Sequence, residues 1–332
     1  MTFIAEATSV AGNIPNGDLT IEGKSPRQLA WLRFRRDKVA MGAAIVVIFY
    51  IVAAVFAPVI CAILGISPYE LDRSALNDYG LPAGPFGGIS SEHWLGVEPG
   101  TGRDILARLL YGARVSLFVG LVGTTFTTTL GVIIGVISGY KRGRVDAVIG
   151  RVMDLTLAFP SFLLIIALTA PFTQRLEALG VPEGNPARLT YIVLVLGFFG
   201  WVYVARVVRG QTLSLREREF VEAARASGAG TGHIIFRQIL PNLWAPVIVI
   251  VSLALPGYVA TESTLSFLGL GMLPPAASWG VMLGDSVRYY RADPTYLFIP
   301  GMALIILVLA FNLLGDGIRD ALDPKSDRQN LG

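Results

Sequence analysis

Charge is the first thing this sequence is short of. Asp, Glu, Lys and Arg make up 15% of its 332 residues, whereas a soluble domain carries roughly 25%. With 53% hydrophobic residues, a water-soluble fold would be left with apolar surface it could not cover, so much of that surface must face lipid. One Cys and two His exclude a disulfide framework and a His/Cys metal cluster. The net charge of +3 gives no reason to invoke nucleic acid. Glycine and proline, at 37 and 19 residues, are abundant for helices in water but frequent in membrane-spanning ones.

What the sequence does hold is six long apolar runs. Residues 39–64 carry no charge and follow Arg33, Arg35, Arg36 and Lys38. Such a run crosses the ~30 Å hydrocarbon core at ~1.5 Å per helical residue. It begins too late and runs too long for the apolar region of a secretory signal, and no small-residue cleavage site follows, so it is read as a retained span. Residues 115–139, 155–172, 191–208, 243–267 and 297–314 supply five more. Pro160, Pro246, Pro256 and Pro300 predict kinks, because proline removes a helical donor and crowds the preceding turn.

Placing the N-terminus inside puts 19 of the 27 Lys and Arg in inner segments (1–38, 140–154, 206–243 and 316–332) and 8 in outer loops. That asymmetry predicts cytoplasmic termini at both ends. The chain then divides into a cytoplasmic tail, 1–38, whose first 25 residues have a flexible composition, and a first transmembrane helix, 39–64. An outer loop follows at 65–112, then a five-helix core at 113–317 and a cytoplasmic tail at 318–332. In the outer loop Ile105, Leu106, Leu109 and Leu110 share one helical face while Arg103, Asp104 and Arg108 lie elsewhere, which predicts a helix resting at the membrane interface.

The inner segment 209–243 is the most informative. Arg216 to Ser227 is rich in helix formers and charge, Gly228, Gly230 and Gly232 interrupt it, and a second helix is predicted up to Leu240, before Pro241. Ile234, Ile235 and Ile239 form an apolar stripe on a segment with no lipid to face. The stripe needs a partner, either the chain's own inner helix ends or another subunit.

These residues also carry a resemblance. Glu222-Ala223-Ala224, three residues, Gly228, then Leu240-Pro241 is similar to the EAA motif of the membrane subunits of bacterial ATP-binding-cassette importers, with Gln238 where an Ile usually stands and Ile239 beside it. His93–Gly96, Gly102–Asp104, Leu110–Arg114, Ala158–Pro160 and Glu262–Gly271 add motifs that resemble the C-type permease of dipeptide and oligopeptide importers, from about residue 27 to 324. The resemblance implies an all-α type I importer permease fold with six transmembrane helices in the bacterial cytoplasmic membrane. It implies that this chain pairs with a homologous B-type permease, two ATPase subunits and an extracytoplasmic binding protein, with ATP and Mg held by the partner subunits and no cofactor here. It further implies that Glu222, Ala223, Ala224, Gly228, Ile239, Leu240 and Pro241 make or shape the contact with the ATPase. Residue chemistry agrees: Ala permits close helix approach, Gly permits a sharp turn, and Glu offers charge to a basic surface. Gly228→Asp, or a bulky residue at Ala224, is expected to uncouple hydrolysis from uptake. Peptides are the expected cargo, and nickel complexes or oligosaccharides are the alternatives for the same fold.

Other features are weighed against plainer readings. Gly228 to Gly232 lacks the Lys followed by Ser or Thr of a phosphate cradle. His93 and His233 fall on opposite sides of the membrane and form no joint site. Glu262, about 18 positions into the fifth span and so ~27 Å from its inner end, is either a pathway residue or a structural tie to Arg114. Asp154, Asn312 and Asp316 read as helix-end caps and anchors, and Arg206 and Arg209 as snorkelling cations. Trp201, Tyr203, Trp279, Tyr289 and Tyr290 read as interfacial belts. An ion-coupled secondary transporter would need midplane carboxylates or repeated broken helices, and a membrane enzyme a clustered catalytic set; the sequence offers neither.

Overall fold

A backbone in lipid must satisfy its own donors and acceptors, and the apolar runs accordingly fold as helices. A computed structural model describes residues 25–323; of the 25 residues expected to be flexible, 1–24 lie outside the described residues, as does the tail beyond 323, and Ser25 caps the first helix. The helices are α1 (Pro26–Arg36), α2 (Lys38–Val55), α3 (Ala57–Leu64), α4 (Ile105–Lys141), α5 (Gly143–Ala158), α6 (Ser161–Ala178) and α7 (Asn185–Leu215). They continue with α8 (Glu219–Ala226), α9 (Thr231–His233), α10 (Trp244–Phe267), α11 (Trp279–Ser286) and α12 (Thr295–Leu322). Five of these, α2, α4, α7, α10 and α12, are long and apolar enough to cross a membrane, and α5 with α6, a pair bent by 82°, makes a sixth if the two together form one broken span.

Two breaks follow from proline. The expected first span, 39–64, divides at Phe56, because Pro58 at the start of α3 has no N–H to continue the ladder of α2. Pro160 separates α5 from α6 with an extended backbone (φ −67°, ψ 96°). Pro256 and Pro300, in contrast, lie inside continuous helices.

The interfacial helix expected near residues 105–111 is instead the outer end of α4. Asp104 caps that helix, its Oδ1 accepting from Ala107 N at 2.7 Å, and 37 residues then run unbroken. At ~1.5 Å per residue α4 is roughly 55 Å long, far more than a bilayer core needs. Its outer turns are held in protein: Ile105 and Arg108 are fully buried. Arg108 lies 3.7 Å from Glu98 and donates to the carbonyls of Pro68, Pro275 and Ala276 at 3.3–3.5 Å. Tyr296 donates to the other oxygen of Glu98. The outer loop is thus tied to α4 and α12 by a buried polar network.

Helices α4 and α7 pack along their inner halves through Gly131, Gly135 and Gly139, spaced four apart so that they line one face. A Cβ at Gly135 would stand 2.7 Å from Ala205 O and one at Gly139 2.8 Å from Arg209 O. Because the obstacle is backbone, Gly135→Ala must push the helices apart, at a cost of about 1–3 kcal/mol. Gly210→Ala, on the same α7 but with no atom within 4 Å of the added carbon, is the control. Thermal unfolding of the detergent-solubilised chain should fall for the first and stay level or rise for the second.

Candidate coupling surface

Helix α8 follows from Arg218 and ends at Ser227, whose hydroxyl donates to Ala223 O. Gly228 then takes a left-handed backbone (φ +82°) and Ala229 N donates to Ala224 O, closing the helix end. Where a single helix was expected up to Leu240, the chain makes the short α9, a π-helical turn over Ile234–Ile239 and a 3-10 turn over Leu240–Asn242.

This irregular path puts the stripe inside the protein. Ile234 and Ile239 are buried with Val221 and Leu243 in one cluster that includes Val136 of α4, Val204 and Val208 of α7, and Ile250 of α10. Of the two partners the stripe could have had, it takes the chain's own inner helix ends. Ile239 is therefore a core residue, and Ile235 and Leu240 pack half-buried against the same cluster. Glu222, Ala223, Gly228 and Pro241 are exposed and Ala224 is half-buried, so the outward surface of α8 carries the Glu-Ala-Ala sequence.

The segment's approach is fixed by ion pairs. Glu217 forms ion pairs with Arg142 at 2.8 Å and with Arg216 at 3.3 Å, and the Arg216 guanidinium sits over the Tyr140 ring. Arg209 binds both oxygens of Asp146 at 2.5 and 2.6 Å, Ser138 donates to the same carboxylate, and Arg206 pairs with Asp154 at 2.7 Å. Arg206 and Arg209 thus have carboxylate partners, and Asp154, inside α5 and not at its end, is an anchor and not a cap. Asn312 and Asp316 likewise lie within the continuous α12, where Asn312 donates to Val308 O. Asp146 went unnoticed in sequence because its partner is 63 residues away.

At the opposite end, Glu262 is fully buried and does not meet Arg114. Its carboxylate accepts from Ser116 at 2.7 Å, Ser266 at 2.8 Å, Ser278 at 2.9 Å and Ser263 at 3.4 Å. Arg114 is exposed on the other side of α4, with its guanidinium 5.4 Å from the centre of the Tyr111 ring. Trp201 and Trp279 are buried core residues, the latter donating to Leu109 O at 2.9 Å. Tyr203 and Tyr290 are exposed.

His93, in the outer loop, bridges two carboxylates: Nδ1 lies 2.8 Å from Asp104 and Nε2 3.4 Å from Asp72. Burial opposes its positive form, but the hydrogen bonds and charges of Asp104 and Asp72 outweigh burial and raise its pKa above the ordinary 6.5. A raised folded-state pKa stabilises the clasp fully below the unfolded value and loses that contribution as pH rises through the folded value. Hydrogen exchange of residues 90–104, corrected for intrinsic rates, should therefore show weaker protection at pH 8 than at pH 6. His93→Gln should abolish the difference.

Comparison with known proteins follows the same outline. Residues 131–328 match the family model described as binding-protein-dependent transport system inner membrane component, and residues 25–82 match that of the N-terminal TM domain of oligopeptide transport permease C. The dipeptide transport system permease protein DppC of Bacillus subtilis is 37% identical over 302 residues, covering 91% of this chain and 86% of that protein. The oligopeptide permease OppC of the same organism is 37% identical over 89% of this chain and 88% of its own length. The glutathione transport system permease protein GsiD of Escherichia coli is 38% identical over 91% of both chains. Among solved structures, a chain of the inward-facing MetNI methionine ABC transporter shares the fold at a TM-score of 0.51 and 20% identity, covering 65% of this chain and 96% of that one. A multi-pass helical bundle with a folded inner elbow and this likeness belongs to the binding-protein-dependent transport system inner membrane components, in the branch of the dipeptide and oligopeptide C-type permeases.

Proposed function

We propose that this chain is the C-type half of a peptide importer of the bacterial cytoplasmic membrane, with both termini in the cytoplasm. A homologous B-type permease completes the path, two ATPase subunits hold ATP and Mg, and an extracytoplasmic binding protein delivers the peptide. The chain itself catalyses no reaction and carries no cofactor. The carrying observation is the division of the 209–243 segment, whose isoleucines anchor it in the bundle while Glu222, Ala223 and Gly228 stay exposed. A segment built in this way moves with the inner ends of α4, α7 and α10 when its outer surface is moved. ATP must bind one arrangement of the assembly better than the other for that motion to bias the transport cycle.

A cavity of about 830 Å³, lined by Tyr203, Gln211, Pro246, Leu253 and Arg319 among others, lies on α7, α10 and α12 and is our candidate for the side facing the path. Reconstituted uptake of labelled di- and tripeptides is expected only when the B-type permease, ATPases and binding protein are all present with ATP. Uptake by this chain alone under an ion gradient would overturn the assignment. A binding protein that takes only nickel complexes or oligosaccharides would overturn the cargo.

A further inference from the structure

Helix α1 holds an exposed surface outside the coupling segment. Its sequence, PRQLAWLRFRR, contains four arginines and no acid. Ser25 caps its start in a reciprocal box with Gln28. Asp37 ends it and at once caps α2, accepting from Val39 N at 2.9 Å and Ala40 N at 3.1 Å. Only that one residue separates α1 from a membrane span, so α1 sits at the level of the lipid headgroups.

Its two sides differ. At ~100° per residue, Trp31, Arg35, Gln28, Leu32, Arg36 and Leu29 succeed one another round an arc of about 160°, and all six are exposed. Ala30, Arg33 and Phe34 occupy the opposite arc and are half-buried, with Arg33 donating to Asp323 O beyond the end of α12 at 3.1 Å. The free arc therefore mixes large apolar groups with cations. Water would favour the cations alone and an apolar protein groove the apolar groups alone. The headgroup layer suits both, with acyl chain ends for Trp31, Leu29 and Leu32 and phosphates for Arg35, Arg36 and the adjoining exposed Lys38.

We propose that the outer arc of α1 is a binding surface for anionic phospholipid, with Arg35, Arg36 and Lys38 recognising the headgroup's negative charge that no choline ammonium offsets. The surface anchors the N-terminal end of the span to a charged bilayer. It depends on α2 crossing the membrane and not on the cargo or the ATPases, so it stands or falls separately from the transport assignment.

The test uses the full chain with Cys61→Ser and Leu32→Cys, carrying an environment-sensitive fluorophore at position 32, in lipid nanodiscs. Phosphatidylglycerol or phosphatidylcholine with brominated acyl chains is included at equal mole fraction. Brominated phosphatidylglycerol should quench at least about twofold more strongly, since each cation near the surface contributes a favourable term for anionic lipid. The combined Arg35→Gln, Arg36→Gln and Lys38→Gln variant, altered only at exposed positions, should bring the ratio to near one. Equal quenching by the two lipids in the parent chain overturns the proposal, as does a preference that survives in the triple variant. Absence of quenching by either lipid also overturns it and assigns the arc to water or to a protein partner.

Discussion

Replacing Ala223 with Trp should lower ATP-driven uptake by at least about tenfold while the chain still folds and the ATPases still hydrolyse ATP. Ala223 is exposed on α8 beside Glu222, so an indole there meets no core residue of this chain and acts on whatever docks outside. A dry, closely packed contact loses roughly 2 kcal/mol or more when its centre is disrupted, enough for a change of this size. Gly228→Asp should act in the same direction by a different route. No atom lies within 4 Å of a Cβ at that position, and Asp tolerates the left-handed backbone better than most residues. The substitution then costs about 1 kcal/mol locally and places a negative charge on the outward surface. Both variants should retain basal hydrolysis in the assembled transporter and lose its stimulation by loaded binding protein. Ile239→Ala gives the contrast. Its side chain is fully buried in the inner cluster, so the loss is about 2–4 kcal/mol of stability, read as less folded protein with transport per folded molecule kept. Parental uptake with Ala223→Trp and Gly228→Asp would show that α8 makes no coupling contact.

The contrast between Ala223 and Ile239 also marks how far the sequence could be read. The EAA spacing names a segment, but seven residues in one motif divide into a contact surface and an anchor only once the π-helical turn over Ile234–Ile239 has set their directions. A stripe of isoleucines states that a partner exists and leaves its identity open. The spans were legible for a simpler reason: lipid admits a closed helical backbone almost alone, so a long uncharged run folds as helix, interrupted where proline breaks the ladder. Helix ends were less legible, and α4 shows why. Arg108 reads as a polar residue at a membrane edge, but it is buried 3.7 Å from Glu98 and donates to three carbonyls in the interior, and α4 runs on through it. Asp146 with Arg209 and Glu98 with Tyr296 raise the same difficulty, as pairs far apart in sequence leave no local periodicity. One signal was available and unused. Glu262 and Ser266 are four apart on one helix and hence neighbours, which already offered the carboxylate a partner nearer than Arg114.

That buried carboxylate carries the second large effect. Glu262→Ala should destabilise the chain by about 3 kcal/mol, seen as a fall of roughly 4 °C in thermal unfolding, whereas Arg114→Gln, at an exposed position, should cost little. Four serine hydroxyls are directed at Glu262, from α4, from α10 itself and from Ser278 just ahead of α11, and all of these serines are buried. Removing the carboxylate strands them in a place that water does not reach. Ser116, Ser263 and Ser266 can turn back to carbonyls one helical turn earlier; Ser278 precedes its helix and has no such recourse. Ser266 also accepts from Met272 N at 3.0 Å, so its reorientation would loosen the turn that follows α10. Glu262→Gln keeps the volume and one acceptor oxygen while its amide can donate to the hydroxyls, and should lose about 1–2 kcal/mol. A double-mutant cycle between Glu262→Gln and Arg114→Gln should close to within about 0.5 kcal/mol, the additivity expected of groups that share no partner. If Glu262→Ala unfolds within a degree of the parent, the serine cradle does not hold the outer ends of α4, α10 and α11 together. A coupling above that limit would restore the ion pair with Arg114.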